Sequence, residues 1–143
     1  LGRKECLEWL FWQVGNLGPM AGQLSHFVNY AQGDHPYSHK RYADEYNRCL
    51  GVLERRLEGR GFILGDYSIA DMASWPWVLI ARPLGQSLDD FPNVARWRET
   101  IKERPAVQRG VDLGKDLRRS APPTDGERRI LFNQTAQDVL RRP

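Results

Sequence analysis

Between Tyr42 and Leu57 the apolar residues Tyr42, Tyr46, Cys49, Leu50, Leu53 and Leu57 recur every three or four positions. Only an α-helix places such residues on one side, and Asp44, Arg48, Arg55 and Arg56 then fall on the outer face. Gly59 and Gly61 follow and are expected to end the helix. No stretch of the chain shows the two-residue alternation of a half-buried strand, and no repeat is visible. These patterns exclude a sheet protein and point to an all-α bundle.

The other segments obey the same period. Leu7, Leu10, Phe11 and Val14 form one apolar face of a first helix, with Trp9 and Trp12 on an adjoining one. GNLGPM (15–20) should kink or break that helix, since Gly and Pro both weaken a helix interior. Helical spacing resumes through Met20, Leu24, Phe27 and Val28, and AQGDHP (31–36) reads as a turn with Asp34 as a candidate N-cap. The segment 92–105 reads as a short helix with Pro92 at its start, Pro105 beyond its end, and Val94, Trp97 and Ile101 as its inner face. SAPPTDG (120–126) reads as a linker. ERRILFNQTAQDVL (127–140) reads as a last helix anchored by Ile130, Leu131 and Phe132. The expected organisation is a helical domain over residues 1–114 and a C-terminal extension over 115–143.

DYSIADMASWPW (66–77) poses the sharpest local problem, because a carefully opened helix receives a proline between two tryptophans. Ser68 and Asp71 stand at the ends of a capping box, in which each side chain serves the other residue's backbone N–H. Tyr67 and Met72 occupy the staple positions on either side. Ile69, Met72, Ala73, Pro76 and Ile80, with Trp77 beside them, are expected to form the inner side. Pro76 should bend the helix. Asp71 is therefore assigned to structure rather than to acid catalysis.

Charge narrows the partner classes. Residues 1–114 carry 14 Lys/Arg and 14 Asp/Glu, whereas residues 115–143 carry 7 and 4, so the net +3 comes from the tail. A neutral body without a clustered basic face argues against nucleic acid as a partner. No run approaches the roughly 18 apolar residues of a membrane span. The N-terminus mixes charges and does not look like a signal peptide. It starts without methionine inside a helical pattern, so a longer parent chain with the first helix truncated here is expected. Two distant cysteines, Cys6 and Cys49, suit a reducing cytoplasm and no zinc site. His35 and His39 have i,i+4 spacing but no third ligand, so no metal is expected. Asn133-Gln134-Thr135 matches a glycosylation sequon, which means little without a secretion signal.

Several motifs, in order, carry a resemblance. WLFWQVGNLGPMAGQ (9–23), KRY (40–42), GDYSIADMASWPW (65–77) and ERPAV (103–107) resemble the helical C-terminal domain of cytosolic glutathione S-transferases. Within that superfamily they are most similar to the bacterial nu class, a branch that includes disulfide-bond reductases and is related to the yeast nitrogen-regulatory prion protein. RRILFNQTA is similar to the C-terminal extension of related bacterial members.

The resemblance implies an N-terminal thioredoxin-like domain, not contained in this chain, that holds most of the glutathione site and the hydroxyl activating its sulfur. It accordingly implies glutathione as cosubstrate, a homodimer, a small electrophile or disulfide as substrate, and no catalytic residue within these 143 positions. It implies a glutathione contact for Arg41, whose guanidinium can pair with a carboxylate in bidentate fashion. Spacing alone implies instead an i,i+4 pair of Arg41 with Glu45. Gln13, Asn16, Met20 and Gln23 resemble the part of the first helix that lines the cleft between domains, although packing at a kink would equally account for them. A non-catalytic protein-interaction module of the same fold is the alternative function.

Overall fold

The computed structural model describes residues 2–117 and 121–140, and every described element is helical apart from turns and one isolated bridge between Leu64 and Asp66. The Cα geometry separates two compact units, Leu1–Val111 and Asp112–Pro143. The first contains α1 (Gly2–Trp12), a π-turn (Gln13–Leu17), α2 (Gly18–Asn29), α3 (Pro36–Arg56), α4 (Ile69–Leu79), α5 (Pro92–Lys102) and nearly all of α6 (Pro105–Asp112).

Helix α3 is the spine. Tyr46, Cys49, Leu50, Leu53 and Leu57 have no solvent exposure, as the stripe demanded. Each such leucine contributes roughly 1.5–3 kcal/mol by leaving water. Val94, Trp97 and Ile101 of α5 are buried against the same core. The start of α5 has no side-chain cap of its own, because its flanking residue is Phe91. Glu54 of α3 supplies the missing acceptors instead. Its Oε2 accepts from the Val94 N–H at 2.9 Å and its Oε1 from the Asn93 N–H at 3.1 Å. Arg56 ties α3 to α1 and to the following loop: it pairs with Glu5, donates to the Ile63 carbonyl at 2.6 Å, and lies over the Trp9 ring.

The capping box at Ser68 is present, and it is only half of what Asp71 does. One carboxylate oxygen, Oδ2, accepts from the Ser68 N–H at 3.0 Å and the Ser68 hydroxyl at 3.2 Å. The other, Oδ1, accepts from the Ile63 N–H at 3.0 Å and the Trp97 indole N–H at 2.8 Å. These partners pull the acid inward, so α4 buries Ala70, Asp71, Ser74, Trp75 and Val78. The expected inner side is thereby corrected, for Ile69 and Met72 are 54% and 51% exposed. Tyr67 packs edge-on against Phe62 and beneath the Arg104 guanidinium.

Pro76 sits inside α4 without ending it, on the exposed side, where water can serve the Met72 carbonyl. The far end of α4 is closed from α3. The Ala81 N–H turns to the Val78 carbonyl, and the Trp77 carbonyl accepts the Tyr46 hydroxyl at 2.7 Å. An orphan helix-end acceptor is thus satisfied by a buried tyrosine.

Of four further expectations, two are corrected. GNLGPM does not break the first helix, which stays helical from residue 2 to 29; the disturbance expected there takes the form of the π-turn over Gln13–Leu17. The face Leu7, Phe11, Val14 is not covered by the described residues, being 42%, 72% and 63% exposed, while Trp9 and Trp12 pack on the core. Asp34 is not the cap of α3; His35 holds that position without a side-chain cap bond. Pro105 lies beyond the end of α5 at Lys102 and also opens α6.

In the second unit, α7 (Asp125–Phe132) starts within the expected linker because Thr124 and Glu127 form a second capping box. Ser120 lies outside the described residues. α8 (Ala136–Leu140) is separate, so residues 127–140 are two short helices. Ile130 and Leu131 are 63% and 58% exposed rather than anchoring a core.

Candidate functional site

The residues singled out for ligand contact fall on three elements. Gln13 and Asn16 lie in the π-turn, Met20 and Gln23 on α2, and Arg41 on the second turn of α3. No hydrogen bond or ion pair joins Arg41 to the other four among the described residues.

The π-turn widens the helix by one residue, which re-aims the side chains around it; such bulges recur at functional sites. Gln13 is only 7% exposed; its carbonyl accepts the Gly18 N–H, while its side-chain amide makes no hydrogen bond among the described residues. Its amide lies over Gly18 beside the half-buried indole of Trp77. A methyl group on Gly18 would stand 2.8 Å from Gln13 Nε2 and 3.1 Å from the Trp77 ring. Glycine is therefore what lets amide and indole share this space. Asn16 is spent locally, donating to the Trp12 carbonyl at 3.3 Å. Met20 packs on the core and Gln23 is exposed.

Arg41 makes the ion pair that its spacing implied, with Nη1 3.0 Å from Glu45 Oε1 and the side chain 55% exposed. Glu45 also takes Arg48 at 3.2 Å. The hydrogen bond from Arg41, then that from Arg48, holds the Glu45 carboxyl below its ordinary range, and the same bond raises the Arg41 guanidinium further. An exposed pair of this kind is screened and exchangeable, so an incoming carboxylate can replace Glu45.

The remaining polar groups offer little chemistry. Cys49 is fully buried and burial pushes its thiol up, away from the thiolate that a nucleophile needs. Burial likewise raises the Tyr46 hydroxyl, which stays a hydrogen-bond donor. His35 Nε2 lies 2.9 Å from the Gln32 carbonyl oxygen. Among the described residues no group of three or more His, Cys, Asp or Glu is placed to hold a metal ion, and no helix is long and apolar enough to cross a membrane. Sequence reasoning missed the role of Trp77 as a wall beside Gln13; the closely spaced glycines opposite it were the available signal.

Comparison with known proteins identifies the family and the fold. The family described as "Glutathione S-transferase, C-terminal domain" matches residues 21–105. The chain is 47% identical to the disulfide-bond oxidoreductase YfcG of Escherichia coli strain K12 over 106 residues, which are 73% of this chain and 49% of that protein. It superposes on a Burkholderia graminis glutathione transferase, solved with two glutathione molecules per subunit, with TM-score 0.72 and 44% identity. That match covers 79% of this chain and 50% of the other. A Pseudomonas putida glutathione transferase holding one glutathione disulfide per subunit matches with TM-score 0.71 and 40% identity, covering 78% and 52%. The chain thus spans about half the length of the relatives it matches.

Proposed function

Because the chain belongs to the glutathione S-transferase family through its C-terminal helical domain, we propose that it forms the helical half of a glutathione-dependent transferase or disulfide reductase. The remaining half of the relatives' length corresponds, on this reading, to a thioredoxin-like domain that supplies the activating hydroxyl and most of the glutathione contacts. The helical half contributes Arg41 and the wall built by the π-turn and Trp77. In the reductase version, two glutathione thiols reduce one disulfide by successive exchange, becoming glutathione disulfide while two substrate thiols are released. No cysteine of this chain is needed, which suits the buried, protonated Cys49. The uncovered Leu7 and Phe11 on α1 and Val14 in the π-turn suit contact with that domain or with a second subunit of a cytoplasmic dimer.

The observation carrying the reading is the guanidinium of Arg41, exposed and held only by a screened surface carboxylate, at the position the family resemblance assigns to glutathione. The test is retention of the whole gene product on immobilised glutathione. Arg41→Ala should weaken retention about tenfold or more. A loss within about twofold would remove the assigned role. The same uncovered α1 face also supports a second reading, a non-catalytic module that uses this fold for protein contacts. Turnover of a small disulfide with glutathione by the whole product separates the two.

A further inference from the structure

The turn between α4 and α5 builds a polar cleft that shares no residue with Arg41 or the π-turn. After α4 the chain makes one 3-10 turn at Arg82–Leu84, reverses at Gly85 with φ 77°, and runs to α5. It leaves a cleft of about 550 Å³, whose polar lining is Arg82, Gln86, Ser87, Asp89, Arg98 and Lys102. That size falls within the range of small-molecule sites.

Three cationic side chains thus face one lining carboxylate, Asp89. Glu99, outside the lining, pairs with two of the cations, its Oε1 taking Arg98 and its Oε2 taking Lys102 at 3.0 Å. The Arg98 side chain is only 23% exposed, so most of its apolar stem is packed and its position set. The Arg82 side chain has no ion pair or hydrogen bond among the described residues and remains available to a ligand. The neutral groups add donors. Gln86 Oε1 accepts from Asn47 Nδ2 at 3.1 Å, which leaves the Gln86 NH2 group open. The Ser87 oxygen accepts the Asp89 N–H at 3.0 Å, which leaves its O–H free to donate.

A concave site with excess positive charge and unspent N–H and O–H donors is complementary to a compact oxyanion. Asp89 at the same site disfavours a polyanion and favours a small ligand. We propose that this cleft binds a small oxyanion-bearing molecule, a carboxylate or a phosphate ester, with Arg82 as the free clamp and Arg98 and Lys102 as the fixed ones.

The test is calorimetric titration of the whole gene product with inorganic phosphate and, separately, with succinate, at ionic strength held constant with sodium chloride. Saturable binding is expected in at least one arm, weakened about threefold or more by both Arg82→Gln and Lys102→Gln. Both residues are exposed, so neither substitution threatens folding. Binding of phosphate alone assigns a phosphoryl ligand, of succinate alone a carboxylate, and of both a general oxyanion site. No saturable heat in either arm, or variants that bind within about threefold of the parent, overturns the proposal. Arg82→Gln should keep full retention on immobilised glutathione, so failure here and failure of the glutathione reading are told apart.

Discussion

Asp71 and Arg41 are both charged residues flagged by sequence motifs, and they sit in opposite physical situations. Asp71 is fully buried and accepts from Ser68, Ile63 and Trp97 with both oxygens. Nothing of it remains for a ligand, and it joins α4, α5 and the loop before α4. Arg41 is more than half exposed and faces only Glu45. It contributes little to the fold and can change partner. A charge whose bonding capacity is exhausted inside the core holds structure, and one paired loosely at the surface is available for function.

The largest expected effect breaks the first half of that contrast. Asp71→Asn replaces one acceptor oxygen by an NH2 that must face an N–H donor, either that of Ile63 or that of Ser68. Urea unfolding should show a loss of about 2–4 kcal/mol. A loss below about 1 kcal/mol would mean that the four bonds do not hold the junction together. Glu54→Ala should follow at about 1 kcal/mol, since it strips the start of α5 of its acceptors from α3. Tyr46→Phe should cost a similar amount, about 1 kcal/mol, by leaving the Trp77 carbonyl without its donor. The same unfolding curves check both.

How much of this was legible in the sequence follows the same line. The inner faces of α3 and α5 could be read directly, because Leu50, Leu53, Val94, Trp97 and Ile101 are apolar and buried at helical spacing. The inner face of α4 could not. Periodicity counts Asp71 and Ser74 as outward residues, and only Ile63 and Trp97, distant in sequence, explain why Asp71 turns in. Nor could the role of Glu54, since capping of α5 from 39 positions away leaves no local pattern. The face of α1 misled for another reason: Leu7, Phe11 and Val14 are spaced for burial, but nothing among the described residues covers them. For the candidate site, the Arg41–Glu45 pair followed from i,i+4 spacing. The ligand role proposed for Arg41 rests on the order of motifs alone, because no local physics distinguishes a waiting arginine from an idle one.

The smallest effect sharpens the second half of the contrast. Arg41→Ala should leave the urea midpoint unchanged within measurement error, while weakening retention on glutathione. The carboxyl of Glu45 reports on the pair directly. Its folded-state pKa is depressed, chiefly by the hydrogen bond from Arg41 and next by that from Arg48. Such a group favours the folded state above the ordinary glutamate pKa, and that contribution disappears as pH falls through the depressed value. Carbon-13 titration of the Glu45 carboxyl should therefore show a midpoint below the ordinary range in the parent protein. In Arg41→Ala the midpoint should move upward but stay short of the ordinary value, because Arg48 still donates at 3.2 Å. An unmoved midpoint would show that Arg41 spends its time elsewhere in solution, already free of Glu45. Addition of glutathione offers the complementary measurement: an arginine that exchanges partners should release Glu45 and raise its midpoint in the parent, with no change in Arg41→Ala.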